Sequence, residues 1–324
     1  MKRSLRQNVF NTVVISNKAI LMVIVLIIAL SILSPYFLTS RNLLNVLRQV
    51  CVNAILACGF ALVLGNGGID LSIGASVGLT GIFMAQLMVA GIPIGIAIII
   101  GILAGAFIGI INASIITLFK LPPFLVTMAM MSILRGACYL VTRQQPVTGL
   151  PDAFTWIGQG YLFHIPFPIY IMLAVIITAW VIANRTKLGR YLLAMGGNLE
   201  AARVSGINIV AVRYGVYVIA GICGAIASVV MCARAASAQP TGGLNMELDA
   251  IAAAVIGGTS MAGGTANIIG AFFGALIVGL VNNGLNLLGI DSSWQIVAKG
   301  TLILIAVILD SVSTMVLSKV NTSA

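Results

Sequence analysis

Asn184-Arg-Thr-Lys-Leu-Gly-Arg190, followed shortly by Gly197-Asn-Leu-Glu-Ala-Ala-Arg-Val-Ser-Gly-Ile207, opens a polar, basic island that runs to Arg213 in an otherwise membrane-grade hydrophobic chain. Of its 324 residues, 60% are hydrophobic and only 7% are charged. That is more apolar surface than one soluble core can enclose. The island is therefore read as a loop of an integral membrane protein, and the expected fold class is all-α and polytopic.

Working outward from the island, ten apolar segments approach the length of about 20 residues that crosses a bilayer. They lie at 19–37, 43–64, 71–90, 93–119, 124–142, 167–183, 212–233, 248–258, 268–288 and 294–317. The eighth is too short to cross alone unless the Gly-rich sequence beside it extends it. The first segment is too long for a signal-peptide core and no Ala-x-Ala site follows it, so it reads as a signal anchor.

The net charge of +10 reports orientation. With Lys2, Arg3, Arg6 and Lys18 on the cytoplasmic side, Lys120, Arg185, Lys187, Arg190, Arg203, Arg213 and Lys319 fall there as well, against Arg41, Arg143 and Arg234 outside. Both termini are thus expected in the cytoplasm of a multi-pass protein of the bacterial inner membrane, surrounded by lipid bilayer. The cations form no patch interleaved with aromatics, so no nucleic-acid partner is expected. Arg48, Arg135 and Lys299 fall inside segments near their ends, where snorkelling to the interface is the default reading.

No Ser/Pro-rich linker divides the chain, which reads as one membrane domain, 1–324, including the loop 184–213. Gly101, Gly105, Gly109 and Asn112 are echoed by Gly270, Gly274, Gly279 and Asn282. The stretch Gly67-Gly-Ile-Asp-Leu-Ser-Ile-Gly74 is echoed by Gly242-Gly-Leu-Asn-Met-Glu-Leu-Asp249. Both echoes are offset by five segments, an odd number, so the expectation is an inverted repeat of two five-helix halves, the architecture of an alternating-access pore. Recurrent small residues at helix contacts are the plainer explanation of the glycines.

Several polar residues are candidates for a solute path. Asp70, with Ser72, reads either as a helix cap or as a substrate contact. Glu247 and Asp249, preceded by Gln239, suit hydroxyl-rich ligands and equally suit capping of the eighth segment. Asn112, Asn282, Asn283 and Asn286 lie within or at the end of segments four and nine, where a buried amide bonds another helix or a polar solute. Four amides without an ionised cluster fit a neutral solute better than a cation. No nucleophile with a base, metal-ligand set or phosphate loop is present, so neither catalysis nor a metal is expected of this chain. Cys51, Cys58, Cys138, Cys223 and Cys232 lie in apolar segments without Cys-x-x-Cys spacing and read as packing residues.

Within the island, Asn198 is placed to cap a short helix of Leu199, Glu200, Ala201, Ala202, Arg203 and Val204, followed by Ser205 and stopped by Gly206. So short a helix needs neighbours to hold it. Its apolar face is too narrow for a headgroup-lying helix, which favours docking to a soluble partner.

Gly196-Gly-Asn-Leu-Glu-Ala-Ala-Arg-Val-Ser-Gly-Ile-Asn208 resembles the coupling segment of the membrane subunits of ribose-type ABC sugar importers, a binding-protein-dependent monosaccharide transport family. The resemblance extends in order through Gly68-Ile-Asp-Leu-Ser-Ile-Gly74, Leu188-Gly-Arg190, Ser237-Ala-Gln-Pro240, Glu247-Leu-Asp-Ala-Ile-Ala-Ala253, Gly257-Gly-Thr-Ser260 and Asn282-Asn-Gly-Leu-Asn-Leu-Leu-Gly289. The loop 143–166 and both termini carry no such signature. The resemblance implies a dimeric permease, normally of two identical subunits, of about ten helices each. It also implies a cytoplasmic ABC ATPase that grips the helix around Glu200 to Ser205, and an extracytoplasmic sugar-binding protein. No cofactor is expected on this chain, ATP and magnesium belonging to the ATPase. The rival readings are an ion-coupled secondary transporter of a small polar solute and a non-transporting membrane scaffold.

Overall fold

A computed structural model describes residues 18–291 and 293–301, with 304, 305, 307 and 308. The described chain is mostly helical. The helices are α1 (Lys18–Leu33), α2 (Ser40–Gly65), α3 (Ile73–Val89), α4 (Ile94–Leu118), α5 (Pro123–Thr142), α6 (Asp152–Gln159), α7 (Phe167–Arg185), α8 (Lys187–Gly197), α9 (Leu199–Val204), α10 (Ile209–Ala235), α11 (Met246–Ile256) and α12 (Ile268–Leu287). Residues 293–301 are helical too. A two-residue antiparallel pair, β1 (Tyr161–Leu162) with β2 (Ile165–Pro166), interrupts the helical order between α6 and α7.

Six of these, α2, α4, α5, α7, α10 and α12, are long and apolar enough to cross a membrane. The chain is accordingly a multi-pass membrane protein. The apolar helices α1 and α3 are shorter, and α11 has only 11 residues. At 1.5 Å per residue α11 extends ~16 Å, about half of the hydrocarbon thickness. Of the tenth expected segment, the part beyond residue 308 lies outside the described residues, as do Lys2, Arg3, Arg6 and Lys319.

The ends of the helices follow from local chemistry. Thr39 Oγ1 accepts from Asn42 N at the start of α2, and Asn208 Oδ1 from Ala211 N at the start of α10. Asn267 does two tasks: its Oδ1 accepts from Gly270 N to cap α12, and its Nδ2 donates to Gly257 O at the end of α11. That one side chain ties the end of α11 to the start of α12.

Helices α2 and α10 form the centre, and α4, α5 and α7 lie outside them with much of their surface open to lipid. The centre is tight because α4 and α10 meet backbone to backbone: a Cβ on either Gly105 or Gly221 would collide with the carbonyl oxygen of the other. Small residues at such a contact replace the hydrophobic drive that lipid removes. The five cysteines are free and buried in this packing.

The two ends of the bundle carry different loops. At one end the island lies beside Gly65 and Gly264, and Arg213 Nη1 donates to Thr117 Oγ1 at 3.4 Å. At the other, Val147 pairs with Ala238, Gln159 Nε2 donates to Arg234 O, and Arg48 Nη2 donates to Gln159 O. Arg48 also stacks on Tyr161, 4.6 Å from the ring centre. Arg48, well inside α2, is therefore held against the hairpin-end loop, with its Nε buried without a partner.

Candidate functional site

The island folds as two short helices. Thr186 Oγ1 accepts from Gly189 N and opens α8, which buries Leu192 and Met195 against the bundle. Asn198 Oδ1 then accepts from Ala201 N at 2.9 Å, and the six residues of α9 end before Gly206, whose φ of 79° only glycine adopts readily. Ala202 is the buried face of α9, while Val204 is 84% exposed. Arg203 Nη1 lies 2.7 Å from Glu200 Oε1 and 3.0 Å from Oε2. With both side chains well exposed, that pair contributes little to stability. It leaves a pair of opposite charges beside an exposed valine on the outer face of α9.

The second candidate region lies inside the bundle, where the chain between α2 and α3 is not helical. Asp70 is buried and accepts from Ser72 N at 2.9 Å and Ser72 Oγ at 2.5 Å. Asn112 Nδ2, from α4, donates to the same hydroxyl at 2.8 Å. Thr127 Oγ1, from α5, accepts from Leu71 N and lies 3.1 Å from Ile69 O. The polar turn is thus held from both sides; Asp70 closes the turn on Ser72, and Ser72 at the start of α3 makes no side-chain cap bond of its own. Asn112 Oδ1 and Ser76 Oγ are buried there with no hydrogen-bond partner among the protein groups.

The Gly242–Gly243 loop packs on α3. A Cβ on Gly74 would collide with Glu247 Oε2, and one on Gly78 would stand 2.6 Å from Gly242 O. Glu247 Oε2 is itself buried without a partner. Arg135, from α5, clamps this loop: its Nη1 donates to Pro240 O at 3.1 Å and Gly242 O at 2.7 Å. That corrects the snorkelling expectation, since the guanidinium is held by two loop carbonyls. Lys299 departs from the same expectation. Its Nζ lies 3.0 Å from Asp249 Oδ2, which Asn53 Nδ2 also approaches at 3.5 Å. The carboxylate of Asp249 is spent on that ion pair rather than on capping α11.

Of the remaining candidates, Gln239 lies in this loop, its O accepting from Gly242 N, and the asparagines of α12 lie apart. Asn283 and Asn42 exchange amide hydrogen bonds of 3.0 and 2.8 Å between α12 and α2. Asn286 Oδ1 accepts from Gln295 Nε2, and the exposed Gln239 bonds Ser237 Oγ. Asn282 Oδ1 is buried without a partner. Asp70 and Asn112 are therefore joined through Ser72, with Glu247 against the following turn of α3. Thr127 is the participant that sequence reading passes over, whereas Arg135 and Lys299 were marked as cations within apolar segments but without their partners.

The structure is thus a bundle of apolar helices with polar chain breaks at its centre and a short helix carrying exposed charges at one end. The family described as branched-chain amino acid transport system, permease component, matches residues 42–307, and the chain belongs to it. Among individual proteins it is similar to the ribose import permease protein RbsC of Bacillus subtilis (strain 168), 44% identical over 288 residues covering 88% of this chain and 89% of that one. The ribose import permease protein RbsC of Escherichia coli (strain K12) is 43% identical over 298 residues, 91% of this chain and 93% of the relative. The D-allose transport system permease protein AlsC of the same strain is 38% identical over 280 residues, 86% of each chain. No solved structure matches the chain.

Proposed function

We propose that this chain is the membrane-spanning permease subunit of an ATP-binding-cassette importer that carries a monosaccharide, ribose foremost, into the cell across the cytoplasmic membrane. The observation that carries this reading is identity above 40% to two ribose import permeases along about nine-tenths of their length. A cytoplasmic ATPase that binds ATP and magnesium would engage α9 and its flanks from Asn198 to Gly206. An extracytoplasmic sugar-binding protein would deliver sugar at the opposite end, and a second copy of the chain would complete the pore. Both termini lie in the cytoplasm in this reading.

The ten-helix count and the inverted repeat belong to the same proposal. Their support is that α3 and α11 each follow a Gly-Gly turn, at 67–68 and 242–243, and that the second of these packs backbone to backbone on the first turn of α3, Gly243 against Gly74. Motion of one half against the other would open and close the space around them. The proposed path for sugar hydroxyls is Asp70, Asn112, Glu247 and Asp249 centrally, with Gln239, Asn282, Asn283 and Asn286 towards the hairpin end. The unpaired oxygens of Asn112 and Glu247 are acceptors suited to hydroxyl donors.

Glu247→Gln is expected to lower sugar uptake about tenfold, the loss of one charge-assisted hydrogen bond, with the ATPase still co-purifying. Uptake at the wild-type rate would remove Glu247 from the path. The function itself is tested by deleting the chain while its partners stay expressed: uptake of labelled ribose should vanish, and persistent uptake contradicts the reading.

A further inference from the structure

Gly196, in the last turn of α8, touches two chain breaks at once. A Cβ there would collide with Gly65 O at the end of α2 and stand 2.6 Å from Gly264 N in the connection between α11 and α12. Those two are bonded to each other, Gly264 N donating to Gly65 O at 3.0 Å. Gly263 and Gly264 hold φ of 89° and 78°, which turns their backbone towards α2 at a cost only glycine avoids. On the other side, a Cβ on Gly67 would lie 3.6 Å from Gly196 Cα, so the same contact reaches the turn that leads to Asp70.

We propose that Gly196 is the seat through which the island acts on both non-helical breaks together, the 66–72 turn before α3 and the 257–267 connection after α11. The inference rests on reading the chain as an ABC permease, in which displacement of the island must reach the pore. Backbone packed directly on backbone leaves no flexible side chain to absorb a small shift, and close-packed interiors pass strain on rather than dissipating it. The connection after α11 is stiff as well, because Asn267 ties it to Gly257 O and to Thr259 Oγ1.

Gly196→Ala and Gly197→Ala separate this role from general helix effects. Both residues end α8, but a Cβ on Gly197 meets only Gly264 Cα, at 4.0 Å. G197A is expected to transport like the wild type. G196A, overpacked at the seat, should lose about tenfold or more of uptake while the ATPase stays bound and hydrolyses ATP. Normal uptake by G196A overturns the proposal. Hydrogen exchange on the wild-type complex, with and without trapped ATP, decides the matter even where G196A does not assemble. Peptides covering 194–206 and 260–267 should change together on trapping. A response confined to the island overturns the seat and leaves the importer reading standing, whereas no response in either peptide overturns both.

Discussion

Asp249→Asn and Lys299→Met are each expected to destabilise the protein by about 3 kcal/mol, and the double variant by much less than their sum. Asp249 is buried and its ion pair with Lys299 spans 3.0 Å, so removing Lys299 leaves a buried carboxylate with only the Asn53 amide, at 3.5 Å, and removing Asp249 leaves a half-buried ammonium without its counter-charge. Removing both leaves only an amide facing an apolar chain, with Asn53 still at hand. A double-mutant cycle on the purified protein, read by reversible detergent-induced unfolding, measures the coupling directly. Additive losses would mean that Lys299 does snorkel to the interface and that the two side chains act independently. Uptake should follow the same pattern, falling sharply in the single variants and partly returning in the double.

Glu200→Lys or Arg203→Glu is expected to abolish ATPase co-purification while membrane insertion remains intact. The two side chains are well exposed and bonded to each other, so their substitution disturbs no core. The swapped variant Glu200→Arg/Arg203→Glu sharpens the test, because it keeps an intrahelical pair and reverses the charges offered to a partner. Placing the carboxylate last and the cation first also opposes the helix dipole, at a cost of about 1 kcal/mol. If the ATPase reads these charges, the swapped variant stays uncoupled. Recovered association would reduce the pair to a local brace of α9.

The legibility of the structure in the sequence depended on the range of the interaction involved. Helix α9 was readable residue by residue, because its cap, Asn198, and its stop, Gly206, lie within the same few residues. The shortness of α11 was equally local, announced by Gly257 and Gly258. Helix α8 was hidden, because its apolar face of Leu192 and Met195 is embedded among the charges that marked the segment as a loop. The turn at Asp70 read either as a helix cap or as a substrate contact, and its burial between α4 and α5 was not legible, since polar and glycine residues look alike in a loop and in a chain break held inside a bundle.

Pairings between distant residues left no local mark. Fifty residues separate Asp249 from Lys299, and more than a hundred separate Arg135 from the carbonyls it holds. In both cases the sequence showed a cation in an apolar segment but not its partner, and snorkelling is the economical reading when no partner is visible. The amide pair of Asn42 and Asn283 differs, since an interhelical bond was one of the two roles a buried asparagine leaves open.

The central claim, ATP-driven import of a monosaccharide, is tested most directly by reconstituting the chain with its ATPase and sugar-binding protein in proteoliposomes and following labelled ribose. The account predicts accumulation that requires ATP on the ATPase side and persists in the presence of a protonophore. Uptake abolished by the protonophore and indifferent to ATP would contradict it.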